Sequence, residues 1–227
     1  MTMPISNEVV NHSVAPAAFA DFYAGKAPWE IGRPQGPFTA AADRVSSPVL
    51  DAGCGTGEHA LFFAALGHRV TGIDFVEEPI RRARAKAAAR GLAVEFLVKD
   101  ATTLGDTGAR FASVIDSSLF HCFSDADRRR YVEGLARVVE PGGRLFLLCF
   151  SDAEPGTEGP RRVSREELYA AFADGWEVES VQATQFEANP EFTDVKFSEG
   201  GPKAWFAIIR RKGESKGTSP RPALPGS

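Results

Sequence analysis

The chain has 227 residues, enough for one well-buried domain and short for two. It is 43% hydrophobic and 25% charged with a formal net charge of -4, whereas a dedicated nucleic-acid binder would be basic. No apolar run approaches the ~20 residues of a membrane span, the opening MTMPISNEVVNHSVAPAAF lacks a secretory signal's basic start, and Cys54, Cys122 and Cys149 are too few and too scattered for a disulfide framework or a zinc site, so a cytoplasmic protein without a metal is expected.

In chain order, residues 1–45 read as an N-terminal helical arm and 46–212 as a core of alternating strands and helices. Residues 213–227 form a Gly/Ser/Pro-rich tail that cannot supply a core and is expected to be disordered. PVLDAG (48–53) is a short apolar strand ending in glycine. The helix after it begins near Gly57 and stops at Gly67, a residue suited to the left-handed position past a helix end. HRVTGIDF (68–75) is the second strand. The next helix carries Pro79 in its first turn and ends at Gly91. VEFLVKD (94–100) and FASVIDSS (111–118) are the third and fourth strands. Ser124 and Asp127 have the spacing of a helix start, and Leu135, Val138 and Val139 give that helix one apolar face. Glu140-Pro141-Gly142-Gly143 breaks it, and RLFLLCF (144–150) is the fifth strand. Ser164 and Glu167 cap a further helix that ends near Gly175. WEVESVQATQFE (176–187) and AWFAIIRR (204–211) follow with no helix between them, so they pair antiparallel. The alternation implies an α/β fold, a mostly parallel sheet with helices on both faces. The closing antiparallel pair separates it from an ordinary dinucleotide-binding sheet.

In such a sheet, ligands bind beyond the carboxyl ends of the strands, near the switch in strand order. Asp51-Ala52-Gly53-Cys54-Gly55-Thr56-Gly57 falls there, between the first strand and its helix. Gly53, Gly55 and Gly57 allow a sharp turn and a close approach to a ligand, and the helix start offers free N–H groups to a carboxylate. A nicotinamide or flavin site would show G-x-G-x-x-G. Here Gly53 and Gly55 match, but Glu58 stands in the third place, where its charge would face a pyrophosphate badly. S-adenosylmethionine (SAM) has no pyrophosphate; its amino-acid end and sulfonium suit an acidic Asp51 beside the loop. Asp74 ends the second strand, placed to accept from ribose hydroxyls, a feature NAD sites share. Asp100 ends the third strand, placed for an adenine amino group. Cys54 reads as a small packing residue inside the loop.

VLDAGCGTGEHAL, VTGIDF, VKDAT and EPGGRLFLL resemble the successive motifs of class I SAM-dependent methyltransferases, over residues 19–212. The resemblance implies a Rossmann-like seven-stranded sheet with a reversed last hairpin, SAM as cofactor and S-adenosylhomocysteine as product. It implies that Asp51, Gly53, Gly55 and Gly57 hold the methionine part, Asp74 the ribose, and Asp100 with Ala101 the adenine. Cys54 and Phe75 join the cofactor contacts by their places in the two turns. Phe22-Tyr23 and Pro28-Trp29-Glu30-Ile31-Gly32-Arg33-Pro34-Gln35 resemble the P-W-D-x-G-R-P-Q segment of the thiopurine, tellurite and halide/thiol branch. They also resemble mycobacterial heterocyclic-toxin (benzoquinone-type) methyltransferases. In that branch the arm folds over the cofactor and helps wall the acceptor pocket, which adds Trp29 and Arg33 to the cofactor contacts. Trp29 and Phe22 are also readable as core aromatics, but Trp, Arg and Gly falling together in a Pro-bounded loop favours binding, and Glu30 replaces the usual Asp with no assigned role.

Methyl transfer is an in-line attack for which positioning supplies most of the acceleration. A base is needed only where the acceptor is protonated, as a phenol or hydroxy-heterocycle is. Phe120-His121-Cys122-Phe123 lies just past the fourth strand. His121 is the candidate base, or else it braces the loop before Ser124. Asp116 orients His121 or lines the SAM amino group, and Tyr23 is a second proton-handling candidate. Phe22, Tyr23, Phe120 and His121 form the expected acceptor site, with Trp29, Leu119, Phe123, Phe186 and Phe192 near it and the loop 188–203 as a further wall. Cys122 has no partner that would make it a nucleophile, and His59 and His68 lack ligand spacing. Arg81, Arg82, Arg84, Lys86 and Arg90 read as the wet face of a helix, with RNA binding as the alternative. The expected function is methylation of oxygen or nitrogen on a small heteroaromatic or phenolic acceptor, by a monomer or weak homodimer that binds neither nucleic acid nor membrane. The alternatives are a thiol/halide methyltransferase, a SAM-binding regulator without turnover, and an NAD-dependent oxidoreductase.

Overall fold

The computed structural model describes residues 13, 16–25, 27–106, 108–157, 159–192 and 195–213. Residues 1–12 of the expected arm and 214–227 of the tail expected to be disordered lie outside them. Two helices, α1 (Pro16–Ala24) and α2 (Gly36–Ala40), precede the sheet. Its strands are β1 (Val49–Ala52), β2 (Val70–Asp74), β3 (Glu95–Val98), β4 (Phe111–Ser117), β5 (Val139–Phe150), β6 (Trp176–Gln185) and β7 (Lys203–Arg211). Between them run α3 (Glu58–Ala65), α4 (Glu77–Arg90), α5 (Asp125–Val138) and α6 (Arg165–Ala171).

The strand order is β3-β2-β1-β4-β5-β7-β6. β1 pairs parallel with β2 and β4, and β7 runs antiparallel between β5 and β6. The order reverses between β1 and β4, which puts the switch where the glycine turn emerges. All four residues of β1 are buried, as a central strand covered on both faces requires. Alternate residues feed two cores. Leu50, Val114, Tyr131, Leu135, Leu168 and Trp176 meet on the face covered by α5 and α6. Val49, Ile115, Phe38, Phe63, Ile80 and Phe146 meet on the face covered by α2, α3 and α4. Among the described residues no helix is long and apolar enough to cross a membrane.

The helix ends follow local chemistry. Ser124 Oγ accepts from Asp127 N at 3.2 Å. Ser164 and Glu167 complete a reciprocal capping box at the start of α6. Gly91 takes φ +65° past the end of α4. Two expectations need correcting. Val139 is not on the apolar face of α5 with Leu135 and Val138; it is the first residue of β5, opposite Phe111. Nor does the strand wait for Arg144. Pairing resumes at Arg144 opposite Ser113, so residues 140–143 bulge out against Ala112 alone. Gly143 packs so closely there that a Cβ would lie 2.9 Å from the Ala112 carbonyl oxygen.

Candidate active site

The glycine turn leaves β1 with Gly53, Gly55 and Gly57 all left-handed, at φ +68°, +51° and +86°. Residues with a Cβ rarely hold that conformation, which explains the spacing. Asp74, buried at the end of β2, ties the turn down: its Oδ2 accepts from Gly55 N at 3.0 Å and its Oδ1 from Val76 N at 2.9 Å. Burial pushes its pKa up against those two hydrogen bonds. Cys54 is buried in the turn with its thiol pushed well up, by burial first. The turn forms one side of a cleft of about 1450 Å³, its open mouth included.

Gly53, Cys54, Gly55, Gly57, Asp74, Phe75, Trp29 and Arg33 of the expected cofactor set line this cleft. Four others do not. Asp51 is turned backwards, its Oδ2 accepting from Ala60 N at 2.9 Å in the first turn of α3. That helix starts on Gly57 with no side-chain cap, so Asp51 serves the orphan N–H from beneath, and burial raises its pKa to about 7. Asp116 is wholly buried. Its Oδ1 accepts from Leu119 N and Phe120 N at 2.9 and 3.2 Å, and its Oδ2 from the Tyr131 hydroxyl at 3.0 Å. It braces the loop after β4 and neither orients His121 nor reaches the cleft. Asp100 is exposed and accepts from Thr102 N and Oγ1, both at 2.8 Å, while Ala101 is buried beside it.

The arm closes the cleft from above. The Trp29 ring packs against Phe19, Phe22 and Tyr23, with centroids 5.9, 5.3 and 5.8 Å away. Buried Gln35 is its latch. The Gln35 amide donates to Glu187 O and accepts from Glu187 N, both at 2.8 Å, and its own N–H donates to His59 Nε2 at 3.1 Å. Arg33 pairs with Glu187, and Asn189 N donates to Pro28 O at 2.8 Å. Glu30 pairs with Arg82 at 2.9 Å. The basic run of α4 is therefore not merely a wet face: Arg82 holds the arm, and Lys86 bonds Thr56 Oγ1 and Glu58 at 2.8 Å each. Gln35 and His59 were not read as site residues, because their partners lie far away in sequence.

The acceptor side differs most from expectation. Ser118 takes φ +76°, and a short 3-10 turn over Phe120–Cys122 follows. That turn rotates Phe120 into the core, stacked 5.8 Å from Phe172, with the Arg128 guanidinium 4.3 Å from its ring centre. Phe123 packs on Tyr131. Neither lines the cleft; Leu119, His121 and Cys122 do. His121 is 1% exposed, and its Nδ1 accepts from Phe150 N at 2.9 Å. Burial, then Arg128 and Arg162, lower its pKa to about 3. Tyr23 is also buried, its phenol pushed well above the ordinary value by burial and then by Asp74. At neutral pH Tyr23 stays protonated, and His121 already spends its Nδ1 lone pair on Phe150 N, so neither fits the expected role of base. The loop after β6 supplies a wall through Phe186, Phe192 and Phe197, with Phe150 packed against Phe186 and Phe197 at centroid distances of 5.3 and 5.8 Å. Phe150 and Phe197 carried no sequence signal beyond being aromatic.

Residues 49–143 match the family described as methyltransferase domain. The 2-heptyl-1-hydroxyquinolin-4(1H)-one methyltransferase of Mycobacteroides abscessus is 35% identical over 194 residues, 83% of each chain. The chain belongs to the SAM-dependent methyltransferases. Among solved structures, a protein studied for the conversion of a disulfide bond into a thioacetal group during echinomycin biosynthesis is 34% identical with TM-score 0.77, covering 88% of this chain and 94% of its own. A SAM-dependent methyltransferase from Methanosarcina mazei is 25% identical with TM-score 0.59, covering 72% and 91%. The methyltransferase's cleft fits SAM on its own geometry. A Cβ at Gly55 would come 2.8 Å from Tyr23 Oη and one at Gly53 3.2 Å from Leu119, so the bare glycines let Tyr23 and Leu119 close onto the turn. Asp74 uses one lone pair on each oxygen for backbone and keeps the others for hydroxyl donors. Glu58 is no obstacle: burial opposes its charge, but Lys86 and Arg90 outweigh burial and hold its pKa down.

Proposed function

We propose that this methyltransferase transfers the methyl group to oxygen or nitrogen of a small, flat, largely apolar acceptor of the heteroaromatic or phenolic class. The observation that carries the reading is the acceptor wall, where Phe22, Phe150, Phe186, Phe192 and Phe197 surround few polar atoms. Aromatic faces favour planar apolar ligands, and the relative from Mycobacteroides abscessus is named for a hydroxyquinolone. In this reading Gly53, Gly55, Gly57, Asp74 and Phe75 hold SAM, with Trp29 and Arg33 over it. Asp51 and Asp116 act from behind, by fixing the backbone of the turn and of the loop after β4. The described part of the segment 1–45 forms the lid and that of 46–212 the catalytic core. Bound SAM supplies an electrophilic methyl group on a leaving sulfonium. The chain aligns the acceptor and keeps water out, and its contribution is chiefly positional.

A sulfur acceptor is the second reading. It is favoured by the structural similarity to the protein studied for thioacetal formation, and a thiolate would need no base. Radiolabelled SAM offered with 2-heptyl-1-hydroxyquinolin-4(1H)-one, hydroxyquinolines, phenols, thiols and halides tests both. Label is expected in the hydroxyquinolone and hydroxyquinolines. Label in thiols or halides alone would overturn the first reading.

A further inference from the structure

We infer that the acceptor enters this cleft already ionised, and that His121 meets it as a neutral hydrogen-bond donor and not as its base. The inference rests on the acceptor reading above and names the ionisation state that the site selects. Its ground is one hydrogen bond. The Phe150 backbone N–H can only donate, and it meets His121 Nδ1 at 2.9 Å. Nδ1 is therefore the bare nitrogen, and the single proton of a neutral imidazole sits on Nε2. A ring in that state has no free lone pair with which to take a proton from a substrate. Protonating it would set a new N–H against the Phe150 N–H and break a buried bond.

The surroundings reinforce this. Arg128 from α5 and Arg162 from the loop after β5 are the cations that face the ring, and both disfavour a second proton there. On its own turn, the Cys122 thiol donates to Ser118 O at 3.1 Å and is held protonated by burial. The rings of Phe150 and Phe186, with centroids 5.1 and 6.1 Å away, carry no ionisable group. Other potential bases along the cleft are engaged. His59 Nε2 accepts from Gln35 N. Glu30, Glu58 and Glu187 pair with Arg82, Lys86 and Arg33 respectively. Asp74 is held by two backbone N–H groups, and its remaining lone pairs are those assigned above to SAM.

Arg128 adds a positive argument. It is buried, and among the described residues its only ion pair is a 3.3 Å contact to Glu167 and its Nε and Nη2 have no partner. A buried guanidinium with so little compensation projects positive potential. The field that keeps the second proton off His121 stabilises a negative atom beside it. The chemistry balances without a proton transfer. A lone pair on the anionic oxygen or nitrogen forms the bond to the methyl carbon, the carbon–sulfur bond breaks, and its electron pair stays on sulfur. The negative and positive charges cancel, and the chain takes up nothing.

A series of nitrophenols and hydroxyquinolines of graded acidity tests the inference. With S-adenosylhomocysteine present, absorbance of the acceptor anion reads its ionisation in the complex without turnover. The bound acceptor is expected to ionise at lower pH than the free one; an unchanged or raised value would overturn the inference. In turnover with SAM, the midpoint of the kcat/KM pH profile is expected to move with the acceptor's own pKa. His121→Ala is expected to lower kcat/KM by about ten- to a hundredfold, the worth of a hydrogen bond to a charged group. His121→Gln keeps a donor without a titratable ring and is expected to recover part of that loss with the midpoint still following the acceptor. A midpoint that is the same for all acceptors and disappears in His121→Gln would make His121 the base after all. Failure of every member of the series to bind would instead overturn the acceptor reading, and the inference with it.

Discussion

Asp51 and Asp116 look from the sequence like ligand-facing acids at strand ends, yet each accepts from backbone N–H groups beneath the cleft, and Asp116 from the Tyr131 hydroxyl as well. The reason is local. A helix that begins on glycine lacks a cap, and a loop that turns through Ser118 at φ +76° leaves N–H groups pointing inward. Buried N–H groups find a partner or cost about 1–3 kcal/mol each. Asp116→Ala strands Leu119 N, Phe120 N and the Tyr131 hydroxyl together, and is expected to destabilise the fold by about 3 kcal/mol or more. Asp116→Asn keeps an acceptor for the two amides and is expected to cost about 1 kcal/mol. Urea unfolding of the two variants distinguishes a backbone brace from a ligand contact, which would lower SAM affinity at unchanged stability. Which of Phe120 and His121 faces the cleft was equally illegible. A three-residue 3-10 turn gives no periodicity from which to choose between neighbours.

At the scale of elements, most of the chain was legible because its signals are short-range. Ser124, Ser164, Pro79 and Gly91 mark helix ends by chemistry acting within four residues, and the structure puts helix ends at each. The glycine turn announced itself through three left-handed positions. The arm's fastening was illegible, because Gln35 meets Glu187 across 152 positions and no local pattern foretells that. Gln35→Ala removes both side-chain bonds to Glu187 and is expected to cost about 1–2 kcal/mol. It is expected to expose the segment 25–35 to limited proteolysis and to raise KM for the acceptor several-fold. Ser164→Ala is the control: it loses about 1 kcal/mol with its capping box but leaves the arm's proteolysis unchanged. Equal proteolysis of the two variants would refute the latch.

For the whole molecule, four buried groups set opposing pH trends. His59 and His121, lowered to about 4 and about 3, are buried neutral. Their contribution is complete above the ordinary histidine value near 6.5 and is lost as pH falls through it, since only the unfolded chain takes up those protons. Asp51 and Asp116, raised to about 7 and about 6, run the other way. Their protonated form is favoured in the fold, so their contribution is complete below about 3.8 and is lost as pH rises through 6 and 7. The two pairs offset each other over roughly pH 4.5 to 6, where these groups leave stability nearly flat. His59→Gln keeps an acceptor for Gln35 N and removes one proton site. Its stability relative to the parent is expected to improve by about 1.4 kcal/mol per pH unit below about 6. A difference that stays constant between pH 7 and pH 5 in urea unfolding would contradict it.

The account turns on the glycine turn as the seat of SAM, and calorimetry reads that seat directly. S-adenosylhomocysteine titrated into the parent is expected to bind at one site, NAD is expected to give no heat, and Gly55→Ala, whose Cβ would crowd Tyr23 Oη, is expected to lose at least about tenfold in affinity while still unfolding cooperatively. Absence of binding by the parent, or a folded Gly55→Ala that binds as tightly as the parent, would contradict the account.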